Sequence, residues 1–185
     1  MFMWKRWPQG LIVLCLCGFV FSAEPAAIWL DVPFVKQTKD GCGAASIAMV
    51  MQYWANHGVR VPATQSDADT IFHLLYSSQA RGIYASKLEA YLQQNGFRTF
   101  AISGRWDDLQ KHLQKGRPLI VALKPGSGET LHYVVVAGVD DSQNLIMLND
   151  PAQRKLLKAE RASFEKDWSG TNNWLLLAVP QKSVP

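Results

Sequence analysis

After Pro118 the chain carries four short runs of branched and apolar residues, LIVALK, HYVVVAGV, NLIML and WLLLAV, each bounded by Gly, Asp, Asn or Pro. Runs this short and this rich in β-branched side chains read as strands, so the second half of the chain has to be built around a sheet. Phe97 to Ile102 (FRTFAI) adds a strand ahead of them. The first half keeps the helical period. Between Cys42 and about Asn56, Ile47, Val50, Met51 and Trp54 recur at spacings of three and four, and Gly58 closes that helix. A second helix is expected over roughly Ser66 to Tyr76. A third starts at Ser86, where Ser86 and Glu89 have capping-box spacing, and stops at Gly96. A fourth covers about Trp106 to Gln114, and a short one lies near Lys158 to Trp168. The expected architecture is α+β, with the N-terminal helical part packed on one side of a mostly antiparallel sheet.

With 185 residues, 48% of them hydrophobic, the chain supports one domain with a substantial core. The first residues, MFMWKRWPQGLIVLCLCGFVFSA, combine Lys5 and Arg6 with an apolar stretch from Leu11 to Phe21 and small residues at Ser22 and Ala23. This is the pattern of a secretory signal peptide over residues 1–23, with one domain over 24–185 and a periplasmic or secreted product. The apolar stretch is shorter than the roughly 20 residues of a spanning helix, which disfavours an uncleaved anchor. Leu14 and Leu16 before the early cysteines disfavour a lipoprotein. No stable membrane span is expected after cleavage. Loss of Lys5 and Arg6 leaves 17 basic against 15 acidic residues, scattered without a stripe or arm, so no nucleic-acid partner is expected. Cys15 and Cys17 leave with the signal peptide, and one cysteine, Cys42, stays behind in an oxidising compartment where cysteines are usually paired.

Cys42 stands between two glycines at the start of the first helix, in QTKDGCGAAS. The thiolate is the nucleophilic form of cysteine, and a helix N-terminus favours an anion. A small residue that lets the helix pack closely is the competing reading. The hairpin HYVVVAGVDDSQNLIMLND bears on the choice. If its arms are Tyr133–Val139 and Leu145–Asn149, opposed residue numbers sum to 284. His132 and Asp150 then lie at the open end, on one face, where a carboxylate can orient an imidazole. Asp140 and Asp141 fall in the turn. A histidine so oriented, facing a helix-terminal cysteine, is the arrangement that activates a thiol. Gln37, in the loop before Cys42, is placed to donate to an oxyanion together with a backbone N–H.

Gln37-Thr-Lys-Asp-Gly-Cys42-Gly-Ala-Ala, His132-Tyr-Val-Val-Val-Ala-Gly and Asn149-Asp150-Pro resemble the C39 and C39-like family of papain-like cysteine peptidases, as do the intervening GIYASKLEAYLQQNGF, DDLQKHLQKGRPLIVAL and SFEKDW. The resemblance covers about Asp31 to Val179. It implies a papain-like fold with Cys42 as nucleophile, His132 as general base and later acid, Asp150 as orienter and Gln37 as oxyanion donor. It also implies a peptide or protein substrate, a precursor or leader peptide among the candidates. Gly41 stands directly before Cys42, where leader-processing members usually have an acidic residue. The function expected is that of an exported cysteine-type peptidase acting through an acyl-enzyme. The alternatives are a papain-like acyl transferase or transpeptidase, and a non-catalytic peptide-binding module.

The remaining candidates point to structure. His57 and His112 sit at helix ends or surfaces, and His73 in IFHLLY suits a core position. No HExxH or CxxC spacing is present, so neither a metal nor a cofactor is expected. KPGSGE lacks the lysine-serine pair of a phosphate loop and reads as a rim of the cleft. The tryptophans, Trp54, Trp106, Trp168 and Trp174 among them, suit core packing or a groove lining. The sequence sets no oligomeric state.

Overall fold

The computed structural model describes residues 27–126 and 131–181. At its centre is helix α1, Cys42–Asn56, in which Gly43 through Met51 are all buried. A helix with no polar face has to be wrapped on every side. It is wrapped by a 3₁₀ turn at Ala63–Ser66, by α2, Ala68–Leu75, by α3, Ala85–Gln94, and by the sheet.

The strands are β1, Ile28–Trp29, β2, Phe97–Ser103, β3, Leu119–Leu123, β4, His132–Asp140, β5, Leu145–Asn149, β6, Leu157–Glu160, and β7, Trp174–Pro180. They run in the order β2-β7-β3-β4-β5-β6, with every pair antiparallel. β1 pairs with β4 at Gly138 and Val139, where the pairing of β3 has already ended at Val136.

Helices cover both faces of this sheet. Ile120, Ala122, Tyr133, Val135 and Leu176 pack with α1, α2 and α3. Leu119, Val121, Val134, Val136 and Leu175 pack on the other face with α4, Trp106–Leu113, and α5, Arg161–Ser169. The one-sided packing expected from sequence is thereby corrected, and the physical reason lies in the strands. A strand with one wet face alternates, whereas these carry consecutive apolar residues because both faces are buried.

Three local boundaries also differ. The segment expected as one helix from Ser66 is split by Asp67, which takes an extended backbone and accepts from Thr70 N–H at 2.8 Å to cap α2. The Ser86–Glu89 capping box does not form. α3 starts at Ala85 with no capping side chain, and Glu89 instead accepts from Thr99 Oγ1 at 3.1 Å on β2. Near Lys158 the chain first adds β6 to the sheet edge, and only then turns into α5 at Arg161.

The β4–β5 hairpin carries a bulge. Next to the turn, Asp140 faces Leu145 and Gly138 faces Met147, so the numbers sum to 285. Beyond the bulge Val136 faces Leu148 and Val135 faces Asn149, and they sum to 284. The expected register therefore holds at the open end only. That end decides the site, because the inserted residue puts His132 and Asp150 on the same face where the register of the turn would have put them on opposite faces. Gly138, at the bulge, also lets β1 come close. A Cβ there would lie 2.6 Å from Ile28 O and 2.8 Å from Trp29 Cβ. A Gly138→Val chain is expected to lose about 1–3 kcal/mol through this overpacking. The measurement is the urea midpoint at constant m-value, and a wild-type midpoint would show that the contact is not tight in solution.

Candidate active site

Cys42 is the first residue of α1, and the turn before it is tight. Asp40 has φ 60°, Gly41 N–H donates to Thr38 O at 3.0 Å, and a Cβ on Gly41 would lie 2.9 Å from Thr38 Oγ1. Space alone thus selects glycine at 41. No side chain caps α1, which leaves first-turn N–H groups open beside the half-buried thiol. On the other flank a Cβ on Gly43 would lie 3.2 Å from Ile83 Cβ and 3.4 Å from Tyr133 Cδ2. Gly43 lets the start of the helix press against β4.

His132 opens β4 and Asp150 directly follows β5. His132 Nε2 donates to Asp150 Oδ1 at 2.8 Å, and His132 lines one cavity with Cys42, whose side chain helps to raise the imidazole pKa. With Nε2 engaged, Nδ1 is the ring nitrogen left for the sulfur. Asp150 is almost fully buried. Its Oδ1 also accepts from Ala152 N–H at 2.9 Å, and its Oδ2 accepts from Gln153 Nε2 at 2.7 Å. Burial disfavours the imidazolium, but the hydrogen bonds to Asp150 and Cys42 and the negative charge on both outweigh it, and the His132 pKa is raised to about 9. Burial likewise works against the Asp150 carboxylate, yet His132 and the donors from Ala152 and Gln153 hold its pKa below the ordinary value. Tyr133, buried next in sequence, is pushed up to about 12 by burial and then by charge on Cys42.

The loop that carries Gln37 hangs on the same end of β5. Gln37 N–H donates to Pro151 O at 2.9 Å. Asn149, with no exposed surface, donates from Nδ2 to Val32 O at 3.0 Å and Pro33 O at 3.3 Å, and accepts from Leu156 N–H at 3.0 Å. Asn149, Asp150 and Pro151 thus hold three separate pieces of chain in register. Gln37, Cys42 and His132 line one cavity of about 300 Å³ with Asp40, Arg81 and Leu131. Gln37 Oε1 is buried without a partner among the described residues.

All four residues expected from sequence therefore meet at one place. Asn149 and Tyr133 stand within the motifs but have no role of their own in the sequence reading, and Arg81 is not singled out there. An Asn that ends an apolar run immediately before Asp150 was a usable signal, because a buried amide needs partners from elsewhere in the chain. Arg81 gave none, since it lies in the polar loop after α2. The other histidines are elsewhere. His57 ends α1 with Nδ1 2.7 Å from Tyr53 O, and His112 is half-buried on α4 with its pKa lowered by burial first and by Arg117 and Lys115 after it. His73 is exposed on α2, contrary to its expected core position, because Ile71 is the residue of that helix turned inward. Trp106 and Trp168 are buried with α4 and α5, while Trp54 and Trp174 pack on the other core. Asp140 caps its own turn as expected, and Asp141 reaches α4, where it accepts from Trp106 Nε1 at 2.9 Å and from Gln110 Nε2. Of KPGSGE, Pro125 lines the cavity and residues 127–129 lie outside the described residues, as do residues 1–26, over which the signal peptide was expected. Among the described residues no group of three or more His, Cys, Asp or Glu could hold a metal ion, and no helix is long and apolar enough to cross a membrane.

The model of the Peptidase_C39 like family matches residues 29–174, which takes in every residue of this site. The chain belongs to that family. No curated protein sequence matches it significantly. Solved structures share the fold of this C39-like domain. A putative C39-like peptidase from Bacillus anthracis superposes with a TM-score of 0.67 at 18% identity, over 85% of this chain and 99% of that one. The peptidase domain of Streptococcus ComA, a bi-functional ABC transporter involved in quorum sensing, gives 0.61 at 23%, over 80% and 97%. A double glycine motif protease from an AMS/PCAT transporter, in complex with the leader peptide, gives 0.58 at 24%, over 83% and 94%.

The raised pKa of His132 fixes a pH dependence. The folded value, about 9, lies above the ordinary 6.5, so this group's contribution to stability is fully present below about 6.5 and is lost as pH rises through about 9. For Asp150 the sign is opposite: its contribution is present above 3.8 and is lost as pH falls through its lowered folded value. NMR titration of the His132 ring is expected to give a midpoint near 9 in the wild-type chain and a lower one in Asp150→Asn. An unchanged midpoint in that variant would remove Asp150 as the cause.

Proposed function

We propose that the protein is an exported cysteine peptidase in which Cys42 attacks the carbonyl carbon of a peptide bond. The observation that carries this reading is a single imidazole, that of His132, held by Asp150 at 2.8 Å and lining one cavity with Cys42, at a helix start that no side chain caps. As the C–S bond forms, the carbonyl oxygen becomes an oxyanion, and Gln37 Nε2 and the Cys42 N–H donate to it. His132 gives its proton to the leaving nitrogen, the C–N bond breaks, and an amine departs from a thioester on Cys42. Water then gives a proton to His132 and attacks the thioester, and Cys42 leaves as thiolate with the carboxylic acid product. Asp150 keeps Nδ1 aimed at sulfur throughout and supports the imidazolium. No step calls for a cofactor.

The substrate is a peptide or an extended segment of a protein, which the fold shared with a leader-peptide-bound protease supports as a class. The hydrophobic stretch behind Lys5 and Arg6 supports export, with removal of the first 22 or 23 residues. Mass measurement of protein recovered from outside the cytoplasm is expected to find Ala23 or Glu24 as its first residue, and recovery of only the full-length form would overturn export by cleavage.

Three measurements address the chemistry together. Alkylation of Cys42 in the folded protein near pH 6 is expected to be faster than that of free cysteine, and an equal rate would sink the activated pair. Peptide hydrolysis is expected to vanish in Cys42→Ala and to fall about 10²–10³-fold in kcat in Gln37→Ala, the size of one lost oxyanion donor. With an added amine present, the products should remain mainly free acids. Mainly amide products would make the protein an acyl transferase instead.

A further inference from the structure

The cleft lies across one end of the sheet, and its two sides differ. On the face of α1 and α3, Cys42 and Tyr133 share a cavity of about 610 Å³ with the loop from Gln79 to Ala85. On the face of α5, a second groove of about 380 Å³ begins at His132 and Asp150 and runs away from Cys42. Its apolar walls are Leu123 at the end of β3, Leu148 of β5, Leu157 and Ala159 of β6, and Phe164 of α5. Pro125 and His132 line both this groove and the 300 Å³ cavity that holds Cys42 and Gln37, so the imidazole borders both.

We propose that this groove is the subsite for the leaving part of the substrate, taking an aliphatic or aromatic side chain from one of the first residues after the bond that is cut. The inference rests on the peptidase reading above and deepens it. Its direction follows from chemistry. The group that protonates the leaving nitrogen has to lie on the leaving side of the scissile bond, and that group is His132. The segment that departs therefore extends past His132, toward the α5 face, and the groove is what it meets. An apolar pocket can discriminate by roughly 10–200-fold for each methylene filled or left empty. The rim adds a sign. Asp167 of α5 lines the groove beside Asp150. An acidic side chain on the leaving segment would meet negative charge there, whereas a basic one would not.

The test is cleavage of a diverse, proteome-derived peptide library by the mature protein, with the new N-termini read by mass spectrometry. Leucine, methionine or phenylalanine is expected within the first two leaving residues at least about tenfold more often than glycine, with aspartate and glutamate depleted. In Ala159→Trp, which fills the groove, the preference for large side chains is expected to collapse toward glycine and alanine. Alkylation of Cys42 in that variant reports that the site is still assembled. Cleavage with a flat leaving-side profile overturns this inference and leaves the peptidase reading standing. A preference that survives unchanged in an assembled Ala159→Trp protein also overturns it. No cleavage of any peptide by a protein whose Cys42 is rapidly alkylated overturns the peptidase reading, and this inference with it.

Discussion

A β-strand presents alternate residues to alternate faces, so a shift of one residue in pairing turns every side chain to the wrong side. The site of this protein depends on one such shift made on purpose. The bulge between Val136 and Gly138 changes the partner sum in the β4–β5 hairpin by one, and only beyond it do His132 and Asp150 share a face. β1 fits over the bulge because residue 138 has no side chain. Leu30 N–H then donates to Ala137 O at 2.7 Å, and the chain runs on from there to Gln37 and Cys42. One irregularity thus aims the carboxylate and admits the segment that leads to Cys42.

The rest of the fold serves to hold two ends together. α1 is enclosed on all sides, so its first residue is fixed in space by the packing of the whole core rather than by a local cap. Opposite it, Asn149 satisfies its amide with carbonyls of Val32 and Pro33 and with Leu156 N–H. A buried amide with all its partners supplied is a rigid spacer, and with any partner removed it is a cost of about 1–3 kcal/mol. Distances around Cys42 are therefore set by hydrogen bonds that do not touch it.

Much of this was legible in the sequence, for physical reasons that differ by element. α1 could be read because its apolar period is long, and the hairpin because its arms are apolar and its turn is polar, which fixed the register closely enough to pair His132 with Asp150. The bulge could not be read, because Ala137 and Gly138 are as apolar as their neighbours and leave the pattern unchanged. The arms are apolar at consecutive positions, the pattern of a sheet covered on both faces, yet the helices were all expected on one side, and α4 and α5 in fact cover the second. β1 is too short to register, and β6 was hidden because its alternation over Leu157–Glu160 runs straight into the helical pattern of α5. Ser86 and Glu89 had the spacing of a capping box, but Glu89 found Thr99 across the α3–β2 contact, a tertiary partner that local spacing cannot anticipate.

The Asn149 bonds to Val32 and Pro33 join residues 117 and 116 positions apart. Loop closure over such lengths is slow and comes after local structure has formed. A chain that has built α1 but has not yet docked the β4–β5 hairpin holds a thiol with no imidazole beside it, and its Gln37 loop has nothing to hang on. Reactivity at Cys42 is in this sense a property of finished topology. On the proposed reading the sulfur can be followed as a clock, because the moment it becomes fast to alkylate marks the docking of His132 beside it.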